Sequence, residues 1–400
     1  MPGAALPYPN PMHARLLALF SLLIGCFATA LAASALTPRD TLVYVGTYTG
    51  PKSQGIYAFR LRSDAKEPSL EPLGLAAEAV QPSFLAIDPS RNLLFALNES
   101  ASWNGQPTGS VTSYAIDRTT GKLRKISETS SAGAAPCHLL LDRTGRNLLV
   151  ANYSAGNVAL IRVDADGRLG APQSVQQHRG QSVNPARQKG PHAHAVTLDP
   201  AERFLFVCDL GIDKVMVYRF DAEKGTLIPN DPAFAPLKPG AGPRHMAFRP
   251  DGRFAYVVNE LDSTVTAFAY DGSGGRLTEE QTVTTLPATF TGRSTTAEIL
   301  VHPNGRLLYA SNRGHDTLAR FTIDPDSGRL TATGHHPTGG KTPRHFGLDP
   351  TGTLLAMGNQ GTDTIVLARI DQATGALTSS PRVASAPSPV CHVFLPPAGK

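Results

Sequence analysis

From the position just before a turn to the Asn or Asp that closes the next apolar run is ten residues, six times over: 88 to 98, 142 to 152, 199 to 209, 249 to 259, 302 to 312 and 349 to 359. The clearest copy, 242–271, reads GPRHMAFRPDGRFAYVVNELDSTVTAFAYD. A short apolar run meets a Pro-Asp-Gly turn, a second run ends on Asn259, and a third run alternates apolar with polar residues. Alternation and turn chemistry of this kind spell strands joined by tight hairpins. The first marker advances from 88 to 142, 199, 249, 302 and 349, that is by 54, 57, 50, 53 and 47 residues. Such a period suits one four-stranded propeller blade, roughly 40 to 50 residues.

The two ends supply a seventh blade in halves. TLVYVGTYTG (41–50) matches a second strand and GIYAFRL (55–61) a third, but no first strand precedes them. PVCHVFLP (389–396) matches a first strand and nothing follows it. Pairing the last strand with the first ones closes the ring and leaves no sheet edge for aggregation. The expected fold is all-β, a seven-bladed propeller of four-stranded antiparallel blades over 36–400.

Residues 1–35 read differently. His13 and Arg15 precede the apolar run LLALFSLLIGCFATALAA, which ends in small residues, as a secretory signal does. Cleavage is expected after Ala32, with Met12 as an alternative start. Leu23-Ile24-Gly25-Cys26 offers a second route, lipoprotein processing at Cys26. The run is short for a membrane span of about 20 residues, so no transmembrane segment is expected, and the mature protein should be periplasmic or secreted.

Composition narrows the partners. The net charge is +5, but Lys and Arg are scattered among turns and outer strands, with no basic stripe or aromatic ladder for nucleic acid. Cys137, Cys208 and Cys391 fall in strand positions of non-adjacent blades and read as buried thiols. Nothing in the repeat sets an oligomeric state beyond a monomer or dimer.

In a propeller blade the first strand lines the channel and the second runs antiparallel beside it. The start of the first and the end of the second therefore share one mouth. Strand starts carry His138, His192, His194, Arg244, His245, Glu298, Arg344, His345 and His392, and strand ends carry Glu99, Tyr153, Glu260 and Arg313. Asn98, Asn152, Asn259, Asn312 and Asn359 recur in nearly every blade and read as strand-capping. His138, His245, His345 and His392 also recur, which gives some of them a structural reading. His194, Arg244, Glu260, Glu298 and Arg313 depart from the repeat and are the functional candidates. His192 and His194 form the single His-x-His pair with no acidic partner set, so no metal is expected.

The combination of YVGTYTG with GIYAF, PSFLAIDP with ALNE, PCHLLLD with VANY, GPHAHAVTLDP with DLG, GPRHMAFRP with VNE, and AEILVHPNGRLLYASNRG resembles the lactonase family of seven-bladed propellers. That family includes propeller-type 6-phosphogluconolactonase and carboxy-cis,cis-muconate cyclase. The resemblance covers about residues 41 to 396. It implies a catalytic set of His194, Arg244, Glu260 and Arg313; the strand-start positions at the same mouth make His138, His192, His245, Glu298 and Arg344 the expected substrate-binding neighbours, and no cofactor is expected. The expected activity is hydrolysis of a sugar-type or other acidic lactone. Glu260 or His194 would be the base, and Arg244 and Arg313 would hold the oxyanion or an anionic substituent. A muconate-type cyclisation and a non-catalytic binding propeller are the alternatives, while a six-bladed metal-dependent lactonase is disfavoured by the blade count.

Overall fold

In the computed structural model the described residues are 36–37 and 40–398; the signal region expected over 1–35 lies outside them. They form 28 strands in seven four-stranded antiparallel sheets, with no helix among the described residues. Blades 1 to 6 follow the six sequence copies in order. The seventh combines Pro389–Leu395 with Thr41–Thr47, Gly55–Arg62 and Ser69–Glu78. Its seam is paired from Leu42 opposite Leu395 to Gly46 opposite Cys391. Each innermost strand also touches the innermost strands of the two neighbouring blades, so the circuit is complete.

The core lies between blades. The second strands, such as Leu93–Asn98 and Phe254–Asn259, are buried along their whole length, because each is covered on both faces by adjacent sheets. This is why they read as continuous apolar runs while the outermost strands alternate. Asp88, Asp142, Asp199 and Asp349 tie the turn between first and second strands by accepting from its backbone N–H groups, as when Asp142 Oδ1 takes those of Arg146 and Asn147 at 2.9 Å each. The asparagine at the other end has a different task. Asn98, Asn152, Asn312 and Asn359 each donate through Nδ2 to a carbonyl of the crossover from the preceding blade, at Val80, Ser131, Thr285 and Thr338. These amides satisfy backbone groups that sheet pairing leaves over. Where the repeat has Asp209 instead, the tie runs to His178, Nδ1 to Oδ2 at 2.6 Å.

Candidate active site at the channel mouth

At the start of the inner strands the pairing slips by one residue. Pro136 faces Asn152 and His138 faces Ala151; Ala193 faces Asp209 and Ala195 faces Cys208; Pro243 faces Asn259 and His245 faces Val258; Pro343 faces Asn359 and His345 faces Gly358. The extra residues are Cys137, His194, Arg244 and Arg344. A bulge of this kind re-aims its side chain. Aligned on the bulge, His194 is therefore equivalent to Arg244 and Arg344, not to His138. The next residue inward along the strands gives a second layer of His138, His245 and His345, with Glu298 at the corresponding place in blade 5.

Glu260 is the centre of the first layer. It follows Asn259 at the end of its strand, beside Arg244 on the neighbouring strand. Its Oε2 accepts from Arg244 Nε at 3.1 Å and is ion-paired at 3.0 Å with Arg313 Nη2, which donates to the Thr296 carbonyl at 2.7 Å; its Oε1 accepts from Arg187 Nη2 at 2.7 Å. His194 Nε2 lies 4.0 Å from Oε2. Burial alone would raise the Glu260 carboxyl, but the charges of Arg313, Arg244 and Arg187 outweigh it and bring the pKa down to about 2. Burial, followed by the charge of Arg244, pushes Arg313 down to about 10. The His194 imidazole is driven well below its ordinary range by burial and then by Arg244. It is therefore neutral at neutral pH. Its Nδ1 is 3.9 Å from Cys137 Sγ, and Cys137, Cys208 and Cys391 are buried free thiols.

Behind Arg244 runs a chain of buried polar groups. Arg244 Nη1 donates to His245 Nε2 at 3.0 Å, and because a guanidinium can only donate, His245 must carry its proton on Nδ1. That proton goes to Glu298 Oε1 at 2.9 Å, while Glu298 Oε2 lies 3.6 Å from His345 Nε2. His138 lies 4.2 Å from Phe84 and 5.1 Å from His245, ring to ring. Thus His245 and Glu298 bear on Arg244. Arg344 lies across the mouth, donating to Tyr48 Oη at 2.8 Å; Tyr48 in turn donates to Glu99 Oε2 at 2.9 Å. His192 stacks on Tyr153 at 4.4 Å and donates through Nδ1 to its carbonyl at 3.0 Å.

Two participants had not been singled out from the sequence. Arg187 comes from the fifteen-residue link between blades 2 and 3, residues 178–192, whose excess length is the source of the widest marker spacing, 57. Tyr48 lies just beyond a second strand that has no turn marker of its own. Among the described residues no group of three or more His, Cys, Asp or Glu is arranged to hold a metal ion, and no helix is long and apolar enough to cross a membrane. A large groove lined by Asp88, Arg91, Asp142 and Arg146 lies at the opposite, turn end of the strands, where Asp88 and Asp142 are committed to the turns.

Four guanidinium groups, the deprotonated Glu260 carboxylate they surround and the neutral His194 imidazole, at one mouth of a closed ring, define a seven-bladed propeller with a site for a small, electron-rich molecule. Residues 42–394 match the family model described as "Lactonase, 7-bladed beta-propeller", and the chain belongs to that family. It is accordingly a lactone-hydrolysing enzyme, a carboxylic ester hydrolase acting on a small-molecule lactone. It is 37% identical over 352 residues to 6-phosphogluconolactonase of Bacillus subtilis, covering 88% of this chain and 97% of that one. Identity to 6-phosphogluconolactonase of Pectobacterium carotovorum is 35%, over 74% of this chain and 81% of that one. The periplasmic gluconolactonase PpgL of Pseudomonas aeruginosa superposes with a TM-score of 0.83 at 36% identity, covering 90% of this chain and 99% of that structure.

Proposed function

We propose that the protein hydrolyses a sugar-type lactone bearing an acidic group, at the channel mouth, with His194, Arg244, Glu260 and Arg313 as the catalytic set. The observation that carries this reading is the convergence of Arg187, Arg244 and Arg313 on the single carboxylate of Glu260. Three positive charges meet one carboxylate in a largely buried place, with Arg344 nearby, while Glu298 and Glu99 reach the arginines only through His245 and Tyr48. A cluster with that imbalance suits an anion, and guanidinium groups suit planar or tetrahedral oxyanions.

In this reading water attacks the lactone carbonyl while His194 takes its proton. The imidazolium then returns a proton to the ring oxygen as the carbon–oxygen bond breaks. Arg244 and Arg313 stabilise the oxyanion, a role worth about 10²- to 10³-fold per donor. Glu260, with both oxygens engaged by arginines, serves as a fixed counter-charge that favours the imidazolium once it forms. What supports His194 over Glu260 as the base is that occupancy together with the low Glu260 pKa of about 2.

Residues 1–35 we read as an export signal, so the lactone is met outside the cytoplasm; the likeness to a periplasmic gluconolactonase supports this. Mass analysis of the mature N-terminus checks it: a start at Ala33 fits the soluble form, a diacylated Cys26 the lipoprotein, and an intact Met1 or Met12 refutes both. The function itself is tested by following ring opening of phosphorylated, carboxylated and neutral aldonolactones with purified protein. No turnover of any would overturn it. Ring closure of an unsaturated diacid in place of ring opening would point to the cyclase reaction.

A further inference from the structure

Arg187 differs from the other arginines of the mouth in how it is delivered. Arg244, Arg313 and Arg344 are placed by strands, whereas Arg187 comes from the 178–192 link laid over blade 3. The link is firmly pinned. His178 binds Asp209 at 2.6 Å, Ser182 Oγ donates to Asp213 Oδ2 at 2.5 Å, and Gln188 Nε2 donates to the Leu210 carbonyl at 2.9 Å. It also lies so close to the blade that a Cβ on Gly211 would come within 1.9 Å of the Gly190 carbonyl oxygen. Its sequence, HRGQSVNPARQKGPH, holds Arg179, Arg187 and Lys189 and no acidic residue.

The Arg187 side chain is 38% exposed, against 3% for Arg244, 14% for Arg313 and 7% for Glu260. It forms the rim and the others the floor. Its Nη2 donates to Glu260 Oε1 at 2.7 Å and to Tyr153 Oη at 3.2 Å, while its Nε and Nη1 have no protein acceptor among the described residues. One end of the guanidinium is thus fixed in plane and the rest is unfilled. Holding it in place beforehand lowers the ordering cost of binding, and a planar fork takes phosphate or carboxylate in two-point fashion.

We propose that Arg187 is a specificity-determining residue, whose unfilled guanidinium edge docks an anionic group carried by the lactone at a distance from its ring carbonyl. This rests on the reading that the ring itself sits against His194 and the floor arginines. The division of labour follows from depth: floor charges act on the reacting oxygen, and the rim charge sorts substrates by what they carry at the far end.

The test compares gluconate 6-phosphate with gluconate, as ligands of the full chain in calorimetry, for wild type, Arg187→Gln and Arg187→Lys. Wild type should bind the phosphorylated acid about 30-fold more tightly, which is about 2 kcal/mol. Arg187→Gln should remove most of that preference, and Arg187→Lys should keep part of it. In kinetics the ratio of kcat/KM for 6-phosphogluconolactone to that for gluconolactone should fall by a similar factor in Arg187→Gln, through KM. A preference that survives Arg187→Gln, or a wild type that does not distinguish the two acids, overturns the proposal. If wild type opens no lactone but shows the binding preference and loses it in Arg187→Gln, the docking role stands and the hydrolase reading of the site fails.

Discussion

Glu260 accepts hydrogen bonds from Arg187 and Arg244, is ion-paired with Arg313 and sits 4.0 Å from His194. A carboxylate so engaged has little proton affinity left, which separates two roles that pH can tell apart. If His194 takes the proton, kcat/KM for a neutral lactone should stay level as pH falls from 7.5 to 6 and decline only below that, since burial and Arg244 hold the imidazole well below 6.5. An acid limb at 6.5 or above would refute the assignment. His194→Gln should lower kcat by about 10²-fold or more. Glu260→Gln should behave differently. It leaves three guanidinium groups without their shared counter-charge, and breaking a buried pair from one side costs about 3–5 kcal/mol. A lowered Tm, partly restored by added phosphate or sulfate, should accompany its loss of activity. An unchanged Tm would mean that the arginines do not depend on it.

At the scale of the element, closure of the ring rests on one strand. Pro389–Leu395 supplies the inner strand of blade 7 and contacts the inner strands of blades 1 and 6. Removing everything after Ser388 would expose Val43 and Val45 and bare the edge of Thr41–Thr47, a strand otherwise buried from Leu42 onward. The truncated chain should lose cooperative unfolding of the whole protein, seen as a broadened, lowered transition in calorimetry; an unchanged transition would show that the seam is dispensable. This closure was legible in the sequence because half-blades are complementary in strand count. The register was legible for a similar reason: Asp at one end and Asn at the other satisfy backbone groups, and the same geometric need recurs in each blade. The bulge was not. Nothing in PRH or AHA says that one residue is extra, and only the pairing makes His194 the counterpart of Arg244 and Arg344. By position in the repeat, His245 and Glu298 read as substrate-binding neighbours. In the structure His245 touches Arg244 and Glu298 touches His245, one step further along the strand than Arg244, a distinction that an alternating pattern does not reveal. Arg187 was hidden for the opposite reason, since a link outside the repeat has no register from which to read direction.

Over the whole molecule, the arginines of the mouth and the histidines of the channel are one electrostatic system. His138, His194 and His245 are driven well below 6.5, in each case first by burial and then by neighbouring positive charge. His345 is brought to about 3 and His392 to about 4, again with burial as the leading cause. In the unfolded chain each titrates near 6.5. Between the folded and unfolded values the unfolded chain binds more protons, so stability is complete above about pH 6.5 and is lost as pH falls. Each histidine contributes a slope of up to about 1.4 kcal/mol per pH unit. Glu260 acts later. Its folded pKa of about 2 lies below its ordinary 4.5, so its contribution, on the order of 3 kcal/mol, is present above 4.5 and lost toward pH 2. Denaturant unfolding across pH 7 to 5 should therefore show falling stability with uptake of two or more protons, well before the carboxylates titrate. Uptake of less than one proton would mean that the channel histidines are already charged in the fold. An anion bound at the mouth offsets the charge of Arg244 and Arg344, which adds to burial at His194 and His245, so inorganic phosphate should raise the folded pKa values of these two and flatten the slope. The flattening should be weaker in Arg187→Gln, because the anion then loses its contact at the rim. An equal effect of phosphate in both proteins would place the anion elsewhere than at this mouth.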